Sequence, residues 1–398
     1  MTTNISDFAL FGATPIFSEP LPVGQFYFPS WPRYQQAFRG IFERQYYTEY
    51  GPLNQQLEHK LQQFLGVRHA ICVTNETIGL MMVADAMGLS GKVILPRQAN
   101  ISSVQSLSWT GLRPVYCDID ADTRQMDLHQ ISRLIDDDVS AIMGVHLWGG
   151  ACAPKMLGQV AQAHGIQLYF DAAHAFGCIV DGVHIGNFGR AEVFSFHQSN
   201  ILNGTEGGCI CTNDDELATR LRTMSSSAGT GGRTVEVART VNGRMSEAQA
   251  AIALMSLDDF TANQQNNDIL HQLYKAQLAD IPGVYLIQPT NVGFSNRQSV
   301  ICRVDELEFG IPQNILIELL NAENVRTSPC FHPVICFGDQ YAEGSVQCQH
   351  RPPKIDSLCI TCFQLPIGAL VSPLNAERIC DILFRAHHGS TTIRQKIS

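Results

Sequence analysis

"LYFDAAHAFG", residues 168–177, and "VFSFHQSNILNGTEGGCICT", residues 193–212, decide the fold of this chain. Each opens as a short apolar run of strand type and closes in small or polar residues that turn the backbone. Asp171 ends the first run. The second strand ends on Ser195-Phe196-His197, passes a polar turn carrying Asn200, and starts back at Glu206-Gly207-Gly208.

Outward from these stretches the same alternation continues. "HAICVT" (69–74), "KVILP" (92–96), "RPVYCDID" (113–120) and "SAIMGVHLWG" (140–149) read as strands. "LNQQLEHKLQQFLG" (53–66), "TIGLMMVADAMGL" (77–89) and "PKMLGQVAQAHG" (154–165) have helical spacing between them, the first ending on Gly66. Near-continuous apolar strands separated by helices predict an α/β fold with a mainly parallel sheet covered on both faces. A helical stretch over 245–281 bridges to "GVYLIQ", "SVICRVDE" and "CITCFQLP", with helices "PQNILIELLNAEN" and "NAERICDILFRAHH". The expected division is an N-terminal arm with a short helix (1–50), a large domain (51–260) and a small C-terminal α+β domain (261–398).

Composition narrows the function. A formal net charge of −10 argues against a nucleic-acid or anionic-membrane binder, which favours a basic surface. The start "MTTNISDFAL" lacks the basic and apolar regions of a secretory signal, and no apolar run reaches membrane-spanning length, so the cytoplasm is expected. Most of the thirteen cysteines lie in strand-like segments, where Cys behaves as a small hydrophobe. Cys348, His350, Cys359 and Cys362 offer zinc-ligand types, but a solitary CxxC is a weak signal and "LCITCFQLP" reads as a buried strand; no metal is expected.

Several motifs together resemble the DegT-type nucleotide-sugar aminotransferases, pyridoxal phosphate (PLP) enzymes of fold type I. They are "YTEYGPLNQQLEHKLQQFLGVRHAI", "PVYCDIDADT", "GVHLWGG", "FDAAHAFG", "SFHQSN" with "NGTEGG", and "NGRMSEAQAAIAL". The resemblance implies a seven-stranded sheet, a nucleotide-linked keto-sugar as substrate, and a homodimer with sites at the subunit interface. It also implies roles. Asp171 holds a proton on the pyridine nitrogen, making the ring an electron sink, and His174 lies beside the ring hydroxyl. Ser195, Asn75 and Thr77 reach the phosphate, Thr77 at a helix start where backbone N–H groups favour an anion. Asn242 reaches it across the dimer interface, and Asn100 stands at the ring-stacking position. Read alone, Asp171 also suits a turn cap, Ser195 an ordinary strand residue, and Thr77 an ordinary helix residue.

Three positions depart from the family pattern. Asn200 occupies the place of the Schiff-base lysine, Glu76 that of a glycine near the phosphate, and Asn100 that of an aromatic residue. An amide can neither form an aldimine nor act as a base near neutral pH. The only lysines are Lys60, Lys92, Lys155, Lys275, Lys354 and Lys396, all outside these motifs. His197 and His174 are the candidate acid–base groups. His197 equally suits a strand-end residue under the turn, and His332 either a substrate neighbour or a loop residue. Two readings stand: an enzyme that holds PLP or its amino form PMP without a covalent bond, with His197, His174 and Asn200 at its catalytic centre, or a cofactor-free reuse of the cleft. Ordinary transamination is disfavoured.

Overall fold

The computed structural model describes residues 5–48, 50–120, 125–225, 241–330 and 361–397. Seven strands form the main sheet: β1 (His69–Val73), β2 (Lys92–Pro96), β3 (Arg113–Cys117), β4 (Val139–Val145), β5 (Gln167–Asp171), β8 (Glu192–Ser195) and β9 (Gly208–Thr212). The hairpin strands β6 (Ile179–Val180) and β7 (Val183–His184) form a separate two-stranded sheet, with Ile179 also bridged to Phe294, and the sequence reading missed them. The sheet order is β1-β9-β8-β5-β4-β2-β3. Strands β3, β2, β4, β5 and β8 run parallel, and β9 runs against both neighbours. This is the mainly parallel sheet that the apolar runs predicted. Helices α1 (Trp31–Arg44), α2 (Pro52–Leu65), α3 (Glu76–Ala86), α4 (Ile101–Trp109), α5 (Leu128–Leu134), α6 (Pro154–His164) and α7 (Asp215–Ser225) precede or flank its strands. Separate apolar clusters cover its faces, one around Leu61, Phe176 and Phe194, others around Leu80, Tyr169 and Ile94.

The stretch read as one bridging helix is two, α8 (Glu247–Asp258) and α9 (Phe260–Leu278). The break falls at Asp259, whose backbone leaves the helical region and whose carboxylate accepts from Tyr27 and Arg33. Helix α8 is buried along nearly its whole length and starts with a capping box between Ser246 and Gln249. Its Glu247 carboxylate accepts from the N–H groups of Leu53 and Asn54, the unpaired donors at the start of α2. A Cβ on Gly51 would lie 2.5 Å from that carboxyl carbon, which explains why "YGPL" and "NGRMSE" belong together.

A second sheet is antiparallel: β10 (Val284–Ile287), β11 (Val300–Val304) and β12 (Cys362–Leu365). It is covered by α9, the short α10 (Glu306–Phe309), α11 (Gln313–Ala322) and α12 (Pro373–His388), with α13 (Ser390–Ile397) closing the chain. Phe8 and Phe17 from the N-terminal segment join this core. That segment also carries α1, which is 14 residues long rather than a short helix. Cys362 is buried in β12, as the strand reading required. Cys348, His350 and Cys359 lie outside the described residues, and among the described ones no cluster could hold a metal ion.

Candidate functional site in the cleft beside the strand ends

The carboxyl ends of parallel strands are where open α/β sheets hold ligands. Here β5 delivers Asp171, β8 Ser195, β4 the turn Leu147–Gly150, and β2 the segment Arg97–Asn100. A cleft of about 370 Å³ opens there, lined by Arg97, Asn100, Trp148, His174, Ser199 and Gln298 among others. Gln298 comes from the loop before β11, so both sheets contribute walls.

Asp171 is wholly buried. Its Oδ1 accepts the Ala173 N–H at 3.0 Å and its Oδ2 accepts the Ser103 hydroxyl at 2.5 Å. Glu76, the first residue of α3, does not turn away as a carboxylate beside a phosphate would have to. Its side chain accepts from Ser102 at 3.3 Å and lies near enough to Asp171 for that charge to act on it. Burial, reinforced by the Asp171 charge, pushes the Glu76 carboxyl well above its usual range. A buried carboxyl with a second acid nearby is held toward its neutral form, because burial and a like charge both disfavour its ionisation. Gly208 on β9 makes room: a Cβ there would come within 3.1 Å of the Glu76 nitrogen.

Asn200 is equally enclosed, 4% exposed. Its amide donates to the Ser195 carbonyl at 3.0 Å, and its Oδ1 accepts from Gln298 Nε2 at 3.0 Å. Gln298 is held in turn: its Oε1 accepts the Ile201 N–H, its nitrogen also reaches the Ser199 carbonyl, and its own carbonyl accepts from Gln25. The Ser195 hydroxyl accepts the His197 N–H at 3.3 Å. The His197 ring meets Ser199 Oγ at 2.8 Å and lies 3.7 Å from the exposed Glu206 carboxylate, and it does not line the cleft.

His174 does line it. Burial holds its pKa below the usual imidazole range, against the pull of Asp171. Its Nδ1 accepts the Trp148 N–H at 3.4 Å, which leaves the proton of the neutral ring on Nε2. Asn100 also faces the cleft, at the start of α4. Asn75 caps α3 by accepting the Ile78 N–H at 2.9 Å, and Thr77 stands partly exposed in its first turn. Asn242 is exposed beside Gly243, which sits against Ile78 and Met82 of α3. Thus His174 and Asn100 meet at the cleft, Asp171 lies fully buried near Glu76, and Asn75, Thr77 and Asn242 gather at the start of α3.

The sequence reading missed Arg97, Trp148, Gln298 and the serine pair Ser102–Ser103. Arg97, paired with Asp118 at 3.1 Å, had a local signal in the polar run after "KVILP". Gln298 had none, because its partner Asn200 is 98 positions away. Lys60, Lys92 and Lys155 are held by Asp258, Asp136 and Asp181, and Lys396 lies over the Phe11 ring. No described lysine lines the cleft. Lys354 and His332 lie outside the described residues.

Comparison with known proteins places this geometry. The chain is 29% identical over 346 residues to the dTDP-4-amino-4,6-dideoxy-D-glucose transaminase of Shigella dysenteriae, covering 86% of this chain and 90% of that protein. It is 28% identical over 279 residues to the GDP-perosamine synthase of Vibrio cholerae, covering 69% and 76% of the two chains. Among solved structures it superposes on DesI, crystallised in the presence of its TDP-sugar product, with a TM-score of 0.91 and 36% identity over 99% of this chain and 100% of that one. Members and structural neighbours are PLP- or PMP-dependent aminotransferases, and the α/β architecture fits the expected fold type I. Residues 32–384 match the family's pattern. The chain belongs to the DegT/DnrJ/EryC1/StrS aminotransferase family.

Proposed function

We propose that this protein binds a nucleotide-linked sugar in the cleft without Schiff-base transamination, and that Asn200 stands where aminating members carry lysine. The observation that carries the reading is Asp171, completely buried, bonded by Ser103 and with the Glu76 carboxyl nearby. A pyridine ring needs that carboxylate open and ionised to hold its nitrogen proton. Here both Asp171 oxygens already accept internal hydrogen bonds, and a second carboxyl stands beside them. With Asn200 tied to Ser195 and Gln298, the residues present do not fit PLP as they stand. No chemical step is derived through it.

What remains suits an anionic metabolite. Arg97 and His174 line the cleft, and its volume accommodates a small molecule with a charged part. His174, neutral with its proton on Nε2, is the group placed to exchange a proton with a bound ligand. The reading with PLP or PMP held non-covalently draws on Asp171 at the end of β5 and on His174 and Asn100 beside the open volume. It requires Glu76 to leave Asp171.

The partner is a second copy. Phe28, Trp31, Phe42 and Tyr47, on and around α1, are more than half exposed, as is Trp109 at the end of α4. So wide an apolar face suits an isologous interface. The division near residue 260 and a cytoplasmic location belong to the same proposal; no helix among the described residues is long and apolar enough to cross a membrane. Calorimetry with dTDP-D-glucose, beside an absorbance titration with PLP, tests the reading. Binding of the nucleotide sugar with no PLP band is the expected result. Stoichiometric PLP binding by the unmodified protein overturns the cofactor-free reading.

A further inference from the structure

Next to the cleft lies a second, smaller hollow of about 50 Å³. Leu147 and Trp148 line both, so a single wall separates them. Met126, Val145 and Cys152 contribute apolar surface to the hollow, and no residue lining it is an acid, a base or a histidine. Four polar side chains share the lining, Gln98, Gln125, Gln288 and Thr290, and Gln98 is distinguished among them by its amide nitrogen. Its side chain lines the hollow and is 2% exposed, and its Nε2 has no hydrogen-bond partner among the described residues.

That amide is a physical anomaly. A buried donor without an acceptor gives up its hydration for nothing, whereas an apolar side chain of the same shape would sit there without penalty. Trp148, beside it, is held in the left-handed region at φ 57. Such backbone persists only where the surroundings over-determine it. They do so here. The Trp148 N–H donates to His174, and the Gly150 N–H donates to the Leu147 carbonyl. A Cβ on Gly149, at φ 84, would strike Asn296 Oδ1 at 2.6 Å. The "WGG" turn thus fixes the backbone at Trp148, a residue of the shared wall between hollow and cleft.

We propose that this hollow is a subsite for the neutral, oxygen-bearing edge of a hexose, with Gln98 Nε2 donating to a hydroxyl or carbonyl oxygen. The inference rests on the nucleotide-linked sugar reading given above. The division of charge points to the sugar end of such a ligand. Arg97 and His174 line the larger cleft and suit the diphosphate, while the neutral hollow suits a part without charge. Its size agrees: at roughly 10–15 Å³ per water-sized probe, it holds only a few heavy atoms.

The test is calorimetric titration of wild type, Gln98→Met and Gln98→Glu with two probes, dTDP and dTDP-D-glucose. In the wild type the sugar-bearing probe binds more tightly than dTDP, by about tenfold for one well-placed hydrogen bond. In Gln98→Met the ratio of the two dissociation constants falls to near one. Gln98→Glu loses the ratio too, because a carboxylate presents no donor to the oxygen. Thermal melting without ligand separates recognition from structure: Gln98→Met melts at or above the wild-type temperature. A clear drop would show that the amide serves the fold and would overturn the proposal. So would a ratio that survives in Gln98→Met, or a wild type with no preference for dTDP-D-glucose over dTDP; either leaves nucleotide binding standing. If neither probe binds the wild type, the nucleotide-sugar reading falls and the subsite falls with it.

Discussion

Replacing Glu76 with glutamine should make the protein more stable at neutral pH than the wild type, by an amount that grows with pH. The Glu76 carboxyl is raised well above its ordinary value, 4.5, by burial and then by Asp171. A raised folded-state value means that the group's stabilising contribution is fully present below the unfolded value and is lost as pH rises through the folded one. In that window the unfolded chain ionises Glu76 freely while the folded chain must hold it neutral. Stability then falls by about 1.4 kcal/mol per pH unit, roughly 3 kcal/mol over two units. Glutamine keeps a donor toward Asp171 and an acceptor toward Ser102, and it has no proton to lose in this range. Titrating groups far from Glu76 are common to both proteins and cancel in the difference, while Asp171 beside it belongs to the measured effect. Urea unfolding of both, followed by tryptophan fluorescence at pH 5, 6 and 7, measures it. Midpoints should nearly coincide at pH 5 and diverge steadily above it. A pH-independent difference, or a glutamine variant less stable than wild type at pH 7, would refute the reading of Glu76 as a buried carboxyl held neutral.

Asn200→Lys alone should give no PLP absorption band, because Glu76 still stands beside Asp171, whereas Asn200→Lys with Glu76→Gly should give one; a band in the single variant would show that Glu76 is no obstacle. Borohydride treatment of the wild type with PLP, followed by intact-mass measurement, should leave no stoichiometric pyridoxyl adduct, and an adduct mapped to one lysine would contradict the reading of Asn200. Gln298→Ala strips partners from Asn200 Oδ1 and the Ile201 N–H at once, so destabilisation of about 2–4 kcal/mol is expected by chemical unfolding; a near-neutral result would mean water replaces the amide. Sedimentation at micromolar concentration should show a dimer, and a stable monomer would remove the role assigned to the aromatic face of α1.

Much of the fold could be read from local pattern alone. Runs such as "KVILP" and "QLYFD" are apolar because parallel strands are buried on both faces, and that constraint needs only a few consecutive residues to show itself. The placement of Asp171 at a strand end and of Thr77 in the first turn of a helix follows from the same local logic. So does the strand that buries Cys362. The break at Asp259 was invisible, because the residues on both sides keep helical spacing and the interruption is enforced by Tyr27 and Arg33 from far upstream.

The character of the site was decided only in three dimensions. Glu76 and Asp171 are separated by most of the half-sheet in sequence, and a carboxyl's proton affinity depends on what lies against it, not on its neighbours along the chain. The sequence could mark Glu76 as out of place beside a phosphate but could not say that it lies near Asp171. Asn200 was conspicuous by residue type, yet one of the two bonds that hold its amide comes from Gln298, 98 positions away. Gln98 is one polar residue among several in "PRQANISS", and only the closure of Trp148 and Met126 around it makes its amide stand out. Backbone periodicity is written residue by residue, whereas desolvation and side-chain pairing arise from groups that meet only after the chain has folded.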